Sequence, residues 1–147
     1  MTEENKTLAR LRALIADYLD TVSDLEAKRK PADGLLGLKG GPADDPCHDR
    51  FAQAVEALMK ESAAASPSSG EAAETLSYLF EAAAEQKDSK SAYWMLIAVQ
   101  GFGLELIDRL SAADAKALRE RYADLYPRWE RLPVQDKLLK KLKSQSK

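Results

Sequence analysis

Residues 90–110, KSAYWMLIAVQGFGLELIDRL, are the stretch of sequence that decides the fold. The longest nearly apolar run within it, Ala92 to Leu104, has thirteen residues, whereas about 20 are needed to cross a bilayer. A helix that is apolar almost all round is surrounded by other helices in a folded domain. We therefore expect residues 90–110 to form the central helix of an all-α protein rather than a membrane span.

Other segments carry apolar residues at helical spacing on either side of this centre. The clearest is the first, where Leu11, Ile15 and Val22 follow one another in steps that keep them on one face. Proline, serine and aspartate at segment boundaries mark helix starts and stops, and Ser111 with Asp114 resembles a capping box. The predicted helices are approximately 5–29, 46–62, 70–87, 90–110, 112–126 and 133–144.

Composition agrees with a globular helical protein. The chain has 147 residues, of which 45% are hydrophobic and 31% charged, with only 7 Gly and 6 Pro. This length is near the common size of one domain. We predict a single all-α domain over residues 1–147, a compact antiparallel helical bundle or orthogonal array of about five to six helices.

Charge and cysteine content restrict the environment and the partners. Cys47 is the only cysteine, which excludes an internal disulfide, and the start MTEENKTLARLR lacks the basic-then-apolar order of a signal peptide. We therefore expect a cytoplasmic protein. Residues 1–115 carry 12 basic and 20 acidic residues, whereas residues 116–147 carry 10 and 4. This asymmetry favours an anionic partner for the C-terminal third, or complementarity within the molecule.

A Gly-rich stretch, GLLGLKGG at residues 34–41, precedes the second predicted helix. Phosphate-binding loops need GxxxxGK[ST] after a strand, and here Lys39 precedes the glycines. We do not expect nucleotide binding. Leu35, Leu36 and Leu38 are expected to fold this segment onto the core or to present a surface to a partner.

The segment Asp44 to Asp49 holds the only histidine, His48, beside the only cysteine. Adjacent residues point about 100° apart on a helix, so Cys47 and His48 are poorly placed to act together. Metal sites in bundles pair a carboxylate–histidine motif with a second one on another helix, and this chain has no second histidine. We expect helix capping here, with His48 as a hydrogen-bonded neighbour, and no metal or cofactor.

Glu105 interrupts the stretch that we expect to be buried. At helical spacing it shares a row with Trp94, Ala98, Gly101 and Asp108. Small residues in the middle of a row allow another helix to approach closely. The alternative is a pocket with Trp94 as its wall, in which a buried Glu105 acts as general acid or base.

The basic C-terminal third surrounds Trp129 with Arg128 and Arg131, an arrangement that can contact phosphates and stack on a base. However, Lys140, Lys141 and Lys143 also fit a plain amphipathic helix. The overall net charge of −2 is far from that of a nucleic-acid-binding domain.

No catalytic set of residues stands out, so the leading hypothesis is a non-enzymatic protein-interaction or scaffold domain. Its partner would be another protein or a second copy of the chain, with no membrane and no nucleic acid. The alternatives are a small-molecule-binding protein or minor enzyme with a pocket beside residues 90–110, and an anionic partner bound by the C-terminal third.

Overall fold

The protein is described here by a computed structural model, which covers residues 5–27, 46–87, 90–127 and 131–147. These residues form an all-α bundle, as predicted. The elements are α1 (Lys6–Ala27), α2 (Cys47–Ala64), α3 (Ser69–Glu85), α4 (Lys90–Val99), a 3₁₀ helix (Gln100–Gly103), α5 (Leu104–Ile107), α6 (Ala112–Leu125) and α7 (Pro133–Gln145). None of the helices described is both long and apolar enough to span a membrane.

Helix α3 lies between two of its neighbours. Helices α1 and α6 both pack against it, α2 packs on α1, and α7 packs on α6. The face of α1 predicted from spacing is buried, as Leu11 and Ile15 show. Leu76, Leu79 and Phe80 form the buried face of α3. Consequently α1, α3 and α6 stand side by side, with the outward face of α3 between the other two.

The central stretch is not one continuous helix. It runs as α4, tightens into the 3₁₀ helix and resumes as the short α5. The tightening coincides with a close approach to α3, because a Cβ placed on Gly103 would lie 2.7 Å from Cδ2 of Leu76. Real Cβ atoms do not come so near another carbon, so glycine is what lets this turn rest on α3.

A buried polar network fixes the same region. The Tyr122 hydroxyl donates to Oε1 of Gln100 at 2.7 Å, and the Tyr126 hydroxyl donates to the Phe80 carbonyl at 2.7 Å. Nε2 of Gln100 lies 3.4 Å from the Tyr126 hydroxyl. Since a buried polar group without a partner is costly, the network explains how Gln100 sits fully buried in an apolar core.

The N-termini of α3 and α6 are joined through one serine. The predicted cap of α6 is confirmed, since the backbone N–H of Asp114 donates to the Ser111 hydroxyl at 3.2 Å. The Asp114 carboxylate does not complete a capping box. It accepts from the Ser69 hydroxyl, which in turn accepts from the Ser111 N–H at 2.7 Å. This Ser69–Ser111–Asp114 cluster fastens α3 to α6 at one end.

Candidate functional site

Several residues proposed from the sequence fall outside the part of the chain that the structure describes. These are Leu35, Leu36, Leu38 and Trp129. The roles proposed for them stay predictions. The remaining candidates, His48, Trp94 and Glu105, lie in three different described helices, α2, α4 and α5.

His48 is buried between α1 and α2. Its Nδ1 lies 2.7 Å from the Tyr18 hydroxyl, and the two rings meet edge to face. The Tyr18 ring also stacks on Phe51, with centroids 4.1 Å apart. Cys47 is buried beside them. Enclosure of this kind supports the interpretation of His48 as a hydrogen-bonded core residue.

Trp94 projects from α4 toward solvent. Its exposed fraction is 53%, and it is the one large hydrophobic side chain exposed among the described residues. Ala98 and Glu105 are exposed on the same stretch, so the central segment is not surrounded on every side as expected. At Gly101 a Cβ would make an ordinary van der Waals contact, 3.5 Å from Cγ2 of Val134 in α7, so the packing there does not depend on glycine.

Glu105 lines a shallow cavity of about 390 Å³ between α2 and α5. Trp94 is not part of its wall, so the predicted pairing of Trp94 with Glu105 in one pocket is not formed there. Arg109, also at this cavity, donates to the Ala63 carbonyl at 2.9 Å and so caps the end of α2. The exposure of Glu105 removes the buried carboxyl on which a general acid or base depended.

The basic residues of the C-terminal third make separate contacts. Lys141 pairs with Asp108 at 3.3 Å, and Arg131 donates to the Tyr126 carbonyl at 2.9 Å. Lys140 and Lys143 are exposed and have no ion pair within the described part of the chain. The lysines therefore form an ordinary solvated helix face.

A second concave surface, larger than the cavity at Glu105, lies over the outward face of α3. It is an open groove of about 470 Å³ walled by α1 and α6, and we call it the α3 groove. Its less polar lining consists of Leu8, Ala73, Ser77, Tyr78, Ala117 and Leu118. The short side chains of Ala73 and Ser77, one helical turn apart, keep the floor low.

Charged side chains surround the α3 groove. Arg121 of α6 pairs with Glu81 of α3 at 2.6 Å, which joins floor and wall. Arg12 of α1 places its guanidinium 5.3 Å from the centre of the Tyr78 ring, a cation–π contact. Arg12 and Glu74 both line the groove, and within the described residues neither makes an ion pair. One cation and one anion are thus available to a ligand.

Metal chemistry finds no support in the residues described. Among them, no group of three or more His, Cys, Asp or Glu side chains is placed to hold a metal ion. The α3 groove is lined by neither histidine nor cysteine. Its polar groups are suited to hydrogen bonding and ion pairing.

The chain matches no protein-family model, no curated protein and no solved structure. Any function assigned to it must therefore come from its own residues.

Sequence reasoning did not find the α3 groove. The spacing of Glu74 and Glu81 is typical of an ordinary solvated helix face, and for α3 alone that interpretation is adequate. The groove arises because α1 and α6 rise on either side of α3. The only signal in the sequence was the small residues on that outward face, which isolated helix patterns do not connect to other helices.

Proposed function

We propose that the protein is a non-enzymatic interaction or scaffold domain that binds another polypeptide in the α3 groove. The single-domain organisation and cytoplasmic location expected from the sequence are part of this proposal. Two helical walls, a low floor formed by a third helix and a charged rim are features of grooves that accept an amphipathic helix. The observation that carries the proposal is the open α3 groove, on whose rim Arg12 and Glu74 make no ion pair with any residue that the structure describes.

The shape of the groove supports a polypeptide more than a small molecule. Small-molecule sites enclose most of the ligand surface, whereas this groove is open along α3. Its apolar part includes Leu8 and Tyr78 from two different helices, so a bound helix would contact both. Aromatic and arginine side chains such as Tyr78 and Arg12 are enriched among residues that contribute most to protein association.

Site-specific photocrosslinking tests this function. A photoreactive p-benzoylphenylalanine replaces Ser77 on the groove floor, and in a matched control it replaces Gln53, an exposed residue of α2 outside the groove. After irradiation in the native cells, we expect discrete adducts from position 77 and none of the same size from position 53. The adducts should disappear when Ala117→Glu places a charge in the groove. Absence of any adduct at position 77 contradicts the proposal.

A second candidate function is the binding of a small molecule beside the central segment. The cavity that Glu105 lines supports it, because Glu105 has no ion pair within the described residues and faces Lys60 and Arg109 across a volume of about 390 Å³. Native mass spectrometry of the protein purified from its own cells tests this candidate. A retained ligand that is lost in Glu105→Gln supports it, and protein without added mass argues against it.

A further inference from the structure

We propose that the partner held by the α3 groove is a second copy of this chain, related by a two-fold axis. This inference rests on the proposed function, in which the α3 groove is a protein-binding surface. The two copies would lie against each other so that α1 of each enters the groove of the other. The result is a symmetric dimer with the two α3 helices facing across the axis.

The unpaired charges are the first support. A two-fold interface is self-complementary: if one residue contacts a second residue of the partner, the reverse contact also forms. Arg12 and Glu74 are opposite in sign, line the same groove and lack ion pairs within the described residues. If Arg12 of each copy faces Glu74 of the other, all four charges are paired at once. A groove lined by charges of one sign could not pair with a second copy of itself in this way.

The orientation of Arg12 is compatible with this pairing. The guanidinium rests with Tyr78 at 5.3 Å from the ring centre. Stacking on an aromatic ring engages the face of the guanidinium, while its N–H donors point outward from the edge. The same side chain can therefore keep Tyr78 and donate to a carboxylate of the other copy. Tyr78 would then be covered by the dimer rather than by solvent.

The exposed side of α1 has the shape that the groove requires. Ala9, Ala13 and Ala16 are exposed and follow one another at helical spacing, so part of the outward face of α1 carries no long side chain. The groove floor offers the short side chains of Ala73 and Ser77. Two surfaces without bulk allow two helix axes to come close, and close packing is what gives an interface its dispersion energy.

Charge exchange tests the dimer directly. Sedimentation velocity across the micromolar range should show the wild-type chain passing from monomer to dimer as concentration rises. Arg12→Glu or Glu74→Arg should weaken dimerisation by about tenfold or more, since each places two like charges opposite one another. The double variant Arg12→Glu with Glu74→Arg should restore it. Arg50→Glu, an exposed charge on α2 outside the groove, should leave it unchanged.

Each outcome decides the question. Restoration in the double variant requires that position 12 of one copy meets position 74 of the other, and no heterologous partner would produce it. A chain that stays monomeric at every concentration, or a double variant no better than the single ones, overturns the dimer. Circular dichroism of each variant verifies the fold, which is expected to persist because positions 12 and 74 are exposed.

The same crosslinking experiment separates the two proposals. Adducts from position 77 with twice the mass of the chain support the dimer. Adducts of another mass, together with monomeric sedimentation, overturn the dimer and leave the interaction function in place. No adducts together with monomeric sedimentation overturn both.

Discussion

The hydroxyl of Tyr18 lies 2.7 Å from Nδ1 of His48, inside the core where α1 meets α2. Each of these residues is nearly enclosed, with exposed fractions of 3% and 6%. The contact joins the first helix to the start of the second, and Phe51 stacks on the same tyrosine ring. A polar contact thereby fixes how two helices separated by a long connection come together.

Removal of that hydroxyl should destabilise the fold while leaving its shape intact. Tyr18→Phe keeps the ring stacked on Phe51 but deletes the hydrogen bond to His48. We expect the free energy of unfolding to fall by about 1–3 kcal/mol, the cost of a lost buried hydrogen bond. Urea unfolding measures the change. Tyr78→Phe, which alters a partly exposed hydroxyl, is the control, and an equal loss there would contradict the assignment.

Alkaline pH should destabilise the protein through its buried tyrosines. Burial raises the pKa of Tyr18, Tyr122 and Tyr126. In the unfolded chain these tyrosines ionise near pH 10, whereas in the folded state they stay protonated at that pH. Above that pH the unfolded state binds fewer protons, and the free energy of unfolding falls as pH rises. Below about pH 10 the tyrosines are protonated in both states, so they add no pH dependence to the free energy of unfolding.

Unfolding measured from about pH 8 to about pH 11 tests this dependence. Each buried tyrosine contributes a slope of at most about 1.4 kcal/mol per pH unit in the alkaline range. Tyr122→Phe should therefore give a shallower slope than the wild-type chain, although its stability at neutral pH is lower. An identical alkaline slope in that variant would show that Tyr122 ionises equally in both states.

Gly103 should not tolerate a side chain. In Gly103→Ala the new Cβ would lie 2.7 Å from Cδ2 of Leu76 unless the Leu76 side chain shifts within the core or the helices move apart. We expect a loss of about 1–3 kcal/mol, as for overpacking of a dense core. Gly70→Ala is the matched control, because nothing lies within 4 Å of a Cβ there. Combining Gly103→Ala with Leu76→Ala should cost less than the two single losses together, and strict additivity would disprove the steric explanation.

The hydrogen bonds of Gln100 with Tyr122 and Tyr126 should contribute to stability jointly, so that mutations within this network are not additive. Gln100→Leu leaves the Tyr122 hydroxyl buried without its acceptor, and we expect a loss of about 1–3 kcal/mol. Adding Tyr122→Phe removes the stranded hydroxyl. The double variant should therefore be at least as stable as Gln100→Leu alone. Thermal and urea unfolding compare the two, and a double variant that is much less stable would mean that the hydroxyl has another essential acceptor.

Nucleic acid should bind weakly if at all. Lys140 and Lys143 are unpaired in the described structure, but the chain as a whole carries a net charge of −2. Phosphate contacts weaken steeply with salt, so we expect no association with labelled single- or double-stranded DNA at physiological ionic strength. Fluorescence anisotropy measures it. Tight binding that persists at that salt and is lost in Lys140→Glu with Lys143→Glu would establish an anionic partner.

The sequence predicts the helices well because each is governed by local rules. The caps at Ser111 and the buried spacing of Leu11 and Ile15 follow from neighbours in the chain, and the structure confirms them. The break after Val99 was not predicted. The close contact at Gly103 is with Leu76, which lies 27 positions away in the sequence. Helical periodicity contains no information about that contact.

The candidate site was largely invisible to the sequence for a related reason. Arg12, Tyr78 and Arg121 belong to three helices, and nothing in their local patterns distinguishes them from other solvated residues. Sequence patterns instead favour residues that are chemically unusual, such as His48, or that interrupt an apolar run, such as Glu105, as candidate site residues. The fold places these two away from the α3 groove.

The Ser69–Ser111–Asp114 cluster has a consequence for how the α3 groove would meet a partner. It binds the start of α6 to the start of α3, and Arg121 with Glu81 connects the two helices again about two turns further along α6. The distance between the groove floor, α3, and its α6 wall is therefore fixed before a partner binds. A preorganised surface loses little conformational entropy on association, so recognition at this groove would proceed by rigid docking, with the burial of Tyr78 and Leu8 supplying its heat-capacity change.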